Sequence, residues 1–295
     1  MHRSSGNIHG AFLMMGTMAA YTLNDACMKG LAGQLPLFQS IFLRGILTTA
    51  ILALLAWRLG AFRLRPGADQ WRLAGLRAVA EAAAALFYFK ALFNMPLVNV
   101  IAILQALPLA VTLGAALFLG ERVGWRRLLA ILIGFAGVML IVRPGVEGFT
   151  VYSLYALASV GFVTLRDLLV RRMAPEMPSV LVALLTAAAV GLAGLAGVFF
   201  EEWQPLSGPS AGLLGLATAF IVAGSLLSVM MMRVGDIGVV TFFRYTSLVW
   251  ALVLGYVFFA EWPDRLTVAG SSVVVATGLF TLYREIRGRR IMRRG

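Results

Sequence analysis

From about residue 8 to residue 284 the chain is a string of apolar runs, each closed by Arg, Pro or Gly before the next begins. A hydrocarbon core about 30 Å thick takes roughly 20 helical residues per crossing, so each run has the length of one membrane span. The runs lie near 8–30, 36–57, 71–93, 96–119, 126–142, 150–170, 179–200, 210–233, 237–260 and 264–284, which predicts ten transmembrane helices. Sixty per cent of the 295 residues are hydrophobic and 13% are charged, more apolar surface than a water-soluble domain of this length can hide. The longest interval between runs, around Trp57 to Arg72, is too short for a soluble domain. The expected class is therefore all-α integral membrane protein.

The charges orient the spans. The net charge of +12 would point to nucleic acid in a soluble protein, but here the bases sit between apolar runs instead of forming a patch, and no nucleic-acid partner is expected. With both termini on one side, that side collects 17 basic residues, among them Arg58, Arg72, Arg126, Arg127, Arg171, Arg172, Arg233 and the Arg-rich tail after Arg284. The other side holds three, Lys29, Arg143 and Arg265. Bases accumulate on the cytoplasmic face, so both termini are expected in the cytoplasm of a multi-pass protein of a bacterial-type inner membrane. The first run is too long for a signal peptide and reads as a retained span. The single cysteine, Cys27, excludes an internal disulfide.

Two sets of landmarks recur along the chain. Glu121 follows Phe118-Leu119-Gly120, and Glu261 follows Phe258-Phe259-Ala260, 140 residues later. Asp25, Lys29 and Pro36 recur as Asp167, Arg171 and Pro178 at an offset of 142. The halves are therefore 1–145 and 146–295, five spans each. An odd span count inserts the second copy upside down, giving two inverted five-helix repeats. Pro36, Pro96 and Pro178 stand at span starts, whereas Pro108 lies inside the fourth span and predicts a kink there.

These residues resemble the drug/metabolite transporter superfamily, in its EamA type of two five-span repeats. The resemblance rests on Phe42-Leu43-Arg44 early in the second span, Pro108 before Gly114, and Gly120-Glu121-Arg122 leading into a span with Gly134 and Gly137. The second half keeps Glu261, Gly270 and Gly278 but has Leu248 in place of a second Pro108 and Thr186 in place of a second Arg44. The pattern is most similar to bacterial exporters of amino acids and related metabolites, which implies a small-molecule substrate.

An ionisable side chain inside a span costs several kcal/mol unless it meets a partner or water. Asp25, Arg44, Arg77, Glu81, Lys90, Arg166, Asp167 and Arg244 are such residues. Arg77, Glu81 and Tyr88 share one face of the third span, where Arg77 and Glu81 either neutralise each other or line a site. Arg44 reads as half of a structural ion pair, with Glu81 or Asp25. Asp25 and Asp167 read as helix-end carboxylates satisfied by Lys29 and Arg171. Arg244 and Tyr245, opposite their counterparts Leu104 and Gln105, are expected to bind substrate, with Arg244 meeting a carboxylate. Asn24, Asn99 and Gln105 supply hydrogen bonds, and Phe87, Tyr88, Phe243 and Trp250 supply aromatic walls, unless these groups serve helix packing instead.

No Gly-rich phosphate loop is present, and the two histidines, His2 and His9, form no ligand set with other residues at metal spacing. No ATPase engine, metal, cofactor or enzymatic activity is expected. The expected function is a secondary transporter or facilitator exporting small organic metabolites, amino acids foremost, by alternating access. The alternatives are an uptake carrier for a metabolite, cofactor or cationic drug, and a non-transporting scaffold or receptor.

Overall fold

A computed structural model describes residues 2–63, 67–121, 123–143, 150–170, 179–232 and 240–292. Every described element is helical: α1 (His2–Gly30), α2 (Leu37–Arg58), α3 (Ala68–Leu92), α4 (Leu97–Leu104), α5 (Leu107–Leu119), α6 (Trp125–Val142), α7 (Val151–Val170), α8 (Ser179–Val198), α9 (Gly208–Met232), α10 (Thr246–Phe259) and α11 (Arg265–Met292). Short 3-10 turns occupy Ala61–Arg63 and Thr241–Tyr245. The helices coincide with the predicted spans to within a few residues, except that α1 starts earlier, α10 starts only at Thr246 after the 3-10 turn, and α11 runs on to Met292. Arg171 and Pro178, the counterparts of Lys29 and Pro36, lie outside the described residues, as do Arg122, Arg172 and Arg233.

Eight helical stretches among the described residues are long and apolar enough to cross a membrane. The fourth is α4 and α5 together, Leu97–Leu119. The two expected spans that miss the criterion, α1 and α3, have 29 and 25 residues and therefore ample length. What sets them apart is polarity, since α1 carries Asn24 and Asp25 and α3 carries Arg77, Glu81 and Lys90. Large apolar side chains such as Leu117, Phe118, Trp125, Leu192 and Val257 point outward. An exterior this apolar suits lipid, where helix association relies on close packing and polar contacts.

The fourth span breaks where Pro108 predicts. Pro108 has no N–H to close a turn, and the helix breaks at Gln105 and Ala106: the Gln105 amide is shared between Ile101 O and Ala102 O at 3.1 and 3.2 Å, and the Ala106 amide bonds Ile103 O at 3.1 Å in tighter 3-10 fashion. The ninth span also starts irregularly, as the 3-10 turn Thr241–Tyr245, although Leu248 stands where the proline would repeat. Both spans end alike. Glu121 N bonds Ala115 O across Gly120 (φ 68°), and Glu261 N bonds Gly255 O across Ala260 (φ 52°). A left-handed residue costs an L-amino acid about 1 kcal/mol and glycine almost nothing.

The main helix pairs are α2 with α8, α1 with α9, α3 with α7 and α6 with α11, followed by α3 with α8, α2 with α9, α1 with α10, α5 with α7 and α4 with α10. Exchanging each helix with the one five spans later returns the same set of pairs. Two of these pairs cross on glycine. A Cβ on Gly45 of α2 would lie 2.5 Å from Gly191 Cα of α8, and one on Gly270 of α11 would lie 2.5 Å from Gly137 O of α6. Backbone cannot move aside as a side-chain tip can. Gly45→Ala should therefore lower stability by roughly 1–3 kcal/mol, read as a lower unfolding temperature in detergent. Gly75→Ala, in open space on α3, should be neutral or stabilising.

Candidate functional site

The charged interior is organised around the contact between α3 and α7. Arg166 Nη1 donates to both Glu81 oxygens, at 3.0 and 2.7 Å. Its Nε and Nη2 reach Asp167 Oδ1 at 2.9 and 2.8 Å. Arg77 stands one turn from Glu81 at 3.8 Å, loosely paired, and donates to Thr186 Oγ1 of α8. Glu81 is thus the partner of Arg166, not of Arg44 or Arg244.

Arg244 lies half-buried on the 3-10 turn before α10. Its guanidinium makes no hydrogen bond or ion pair with another described residue. The charged groups whose fields reach it are Asp167 and Arg166, then the phenols of Tyr245 and Tyr21. Among the described residues, three guanidiniums, Arg77, Arg166 and Arg244, stand with two carboxylates, Glu81 and Asp167, in this region.

A second polar cluster joins α1, α2 and α3. Asp25 accepts from Tyr88 Oη at 2.6 Å and from Asn24 Nδ2 at 2.9 Å. Asn24 Oδ1 accepts from Arg44 at 3.0 Å, and the Arg44 guanidinium stacks 4.6 Å over the Phe89 ring. Arg44 and Asp25, expected as members of ion pairs, form no salt bridge among the described residues, because Asn24 stands between them. Lys29 does not serve Asp25 either. It pairs with Glu261 at 3.0 Å and donates to Met95 O at 2.5 Å, while Glu261 Oε2 accepts from Leu97 N at 2.8 Å.

The broken spans meet between these clusters. Gln105 is buried and donates to Ser247 Oγ at 3.0 Å and to Tyr245 O at 3.4 Å. Tyr245 lies against Gly278, where any Cβ would overlap the phenol oxygen, and that oxygen has no partner among the described residues. Asn99 is half-buried with no side-chain partner among the described residues. Phe87 stacks on Phe162 of α7 at 5.5 Å and tilts against Tyr155, so it packs α3 on α7. Phe243 packs on the Leu13, Met14 and Met231 cluster. Trp250, expected as a cavity wall, is 38% exposed on the outer surface. Helix α10 is apolar on all sides, so nothing in its sequence marks the inward face. An apolar cavity of about 450 Å³ between α4, α10 and α11, lined by Val98, Leu248, Leu252, Val275 and Leu279, contains none of the polar candidates.

Sequence spacing misses the central role of Arg166 and the Lys29–Glu261 bond. The repeat offset of 142 carries a usable signal, since it sets Arg166-Asp167 against Asn24-Asp25.

Residues 8–143 match the EamA-like transporter family, so this stretch carries an EamA-like transporter domain. The chain is 27% identical over 290 residues to a pseudopaline exporter of Pseudomonas aeruginosa, covering 94% of this chain and 97% of that protein. It is 24% identical over 280 residues to an S-adenosylmethionine uptake transporter of Rickettsia felis, covering 94% and 92%. A riboflavin transporter of Rhizobium johnstonii is 30% identical over 207 residues, covering 66% and 65%. A crystal structure superposes on 97% of this chain and 99% of its own with a TM-score of 0.64 at 22% identity, which shows a shared fold. With eight membrane-length apolar helices among the described residues, this chain is a multi-pass membrane protein.

Removing Arg166 strands two carboxylates inside the bundle. Arg166→Gln should destabilise by roughly 2–4 kcal/mol, and adding Glu81→Gln should recover part of that loss. A double-mutant cycle on unfolding temperature in detergent measures it, and additive losses would mean that the Arg166–Glu81 contact contributes nothing.

Proposed function

We propose that this protein is a secondary carrier that moves small carboxylate-bearing metabolites, amino acids foremost, outward across the cytoplasmic membrane by alternating access. The observation that carries the reading is the Arg244 guanidinium, which has no partner among the described residues and stands beside the junction of two broken helices. Discontinuous spans at a repeat interface form substrate sites because freed backbone and side-chain groups converge there. A cation without a counter-ion at such a junction favours an anionic group. Arg244, Tyr245 and Gln105, with Asn99 alongside, are the proposed substrate contacts. Glu81 and Tyr88 belong to the networks that hold that lining, Phe87 packs the α3–α7 contact, and Asn24 joins Asp25 to Arg44.

The frame is ten spans in two inverted repeats, 1–145 and 146–295, with cytoplasmic termini. Support comes from the exchange-symmetric helix pairs and from the equivalent Gly120-Glu121 and Ala260-Glu261 span ends. The end of the bundle carrying Lys29, Leu97 and Glu261 is also tied by Glu201 to Phe38 N at 2.8 Å, and by Gln39 to Gln204 at 2.8 and 3.0 Å. Such a closed end suits one state of an alternating-access cycle. Uptake is the second reading. It is favoured by the near-full-length similarity to a protein named for uptake, since a facilitator runs down whichever gradient it meets.

Two experiments check these points. In counterflow with proteoliposomes and a panel of labelled amino acids, Arg244→Gln should lose exchange of carboxylate solutes while the folded protein remains in the vesicles. Normal exchange by that variant would remove Arg244 from the site. On a Cys27-free background, single cysteines placed after Glu121 and after Glu261 should react with an impermeant reagent from opposite sides. Reaction from the same side would overturn the inverted arrangement.

A further inference from the structure

Three carboxylates lie inside the apolar stretches of the described helices: Asp25, Glu81 and Asp167. Glu81 and Asp167 share Arg166. Asp25 has no cation within ion-pair distance among the described residues, and only Tyr88 and Asn24 hydrogen-bond it. Its surroundings leave it little else. On α1 itself, Cys27 is a neutral thiol and Lys29 is held by Glu261 and Met95 O. From α2 comes Arg44, bonded to Asn24 and stacked on Phe89. From α3 comes Tyr88. Helices α4 and α9 bring no titratable side chain, the one on α10, Tyr256, is exposed, and the turn Thr241–Tyr245, which also packs on α1, brings Arg244 and Tyr245, neither of which hydrogen-bonds or pairs with Asp25. A carboxylate held inside a membrane by neutral donors alone is poorly compensated when charged. It is also half-buried, not sealed by its neighbours.

We infer that Asp25 is a proton-binding site, and that its proton couples to the movement of substrate. The bond that forms is O–H at Oδ2, and the proton comes from water on the side to which the site is open. Oδ1 is the poorer position, because the Asn24 amide facing it can only donate while its Oδ1 accepts from Arg44. The Tyr88 hydroxyl facing Oδ2 can turn from donor to acceptor. Protonation therefore reverses the one hydrogen bond that ties Asp25 of α1 to α3, the helix that also carries Glu81 and Arg77. Proton binding thus acts on the frame of the proposed substrate site. The coupling half of the inference rests on the carrier reading; the proton-binding half does not.

The proton is measured without any substrate. Infrared difference spectra of the purified protein between alkaline and acidic pH should show a protonated carboxyl band that Asp25→Asn abolishes. In Tyr88→Phe, which removes a donor to the ionised form, the band should persist to more alkaline pH. An unchanged band in a folded Asp25→Asn variant would falsify the proton site. A Tyr88→Phe titration identical to wild type would overturn the role given to Oδ2, even if Asp25→Asn failed to fold. Coupling is read in proteoliposomes, using the amino acids that exchange in counterflow. An imposed pH gradient should drive their accumulation by wild type, while Asp25→Asn exchanges them but accumulates none. Gradient-driven accumulation by Asp25→Asn would overturn coupling through this residue. If no solute exchanges at all, the carrier reading falls and the infrared result still decides the proton site.

Discussion

A charge inside hydrocarbon has to be met by an opposite charge or by water, and Arg166 is where this chain meets most of that requirement. One guanidinium holds Glu81 of α3 and its own neighbour Asp167, which locks α3 to α7 and leaves Arg77 free to reach Thr186 of α8. Three helices are positioned by that one side chain. Because Arg166 takes both carboxylates, neither pairs with Arg244. Among the described residues that leaves Arg244 as the cation available to the proposed substrate.

The legible part of this structure is the part encoded locally. Apolar run length fixed the helix positions to within a few residues, because hydropathy is a property of neighbours in sequence. The break at Pro108 was legible for the same reason, as a missing amide acts on its own turn. The irregular start of the ninth span was not, since Leu248 offers no such mechanism. Partner choice was the least legible. Glu81 and Arg166 are 85 residues apart, and Lys29 reaches past the nearby Asp25 to Glu261. Which face of α10 turns inward, and hence the outward position of Trp250, is invisible in a helix that is apolar all round.

The relatives of this chain are named for pseudopaline, S-adenosylmethionine and riboflavin, and for both export and uptake. A fold spread over such unlike cargo carries no substrate assignment of its own. The proposed discriminating chemistry is a few polar groups at the helix breaks, Gln105, Arg244 and Tyr245.

The glycine crossings bear on how such a bundle can deform. Gly45 on Gly191 brings backbone against backbone, and Gly137 on Gly270 does the same with Val273, Leu140 and Ile141 packed at its flanks. Interlocked side chains resist rotation, because each must leave its groove before the helix can turn. Two smooth cylinders in contact can swivel on one another while the surrounding rotamers stay in place. These crossings belong to α2 with α8 and α6 with α11, the pairs that map onto themselves when the helices are exchanged five spans along, so each is a point where the first five spans meet the last five backbone to backbone.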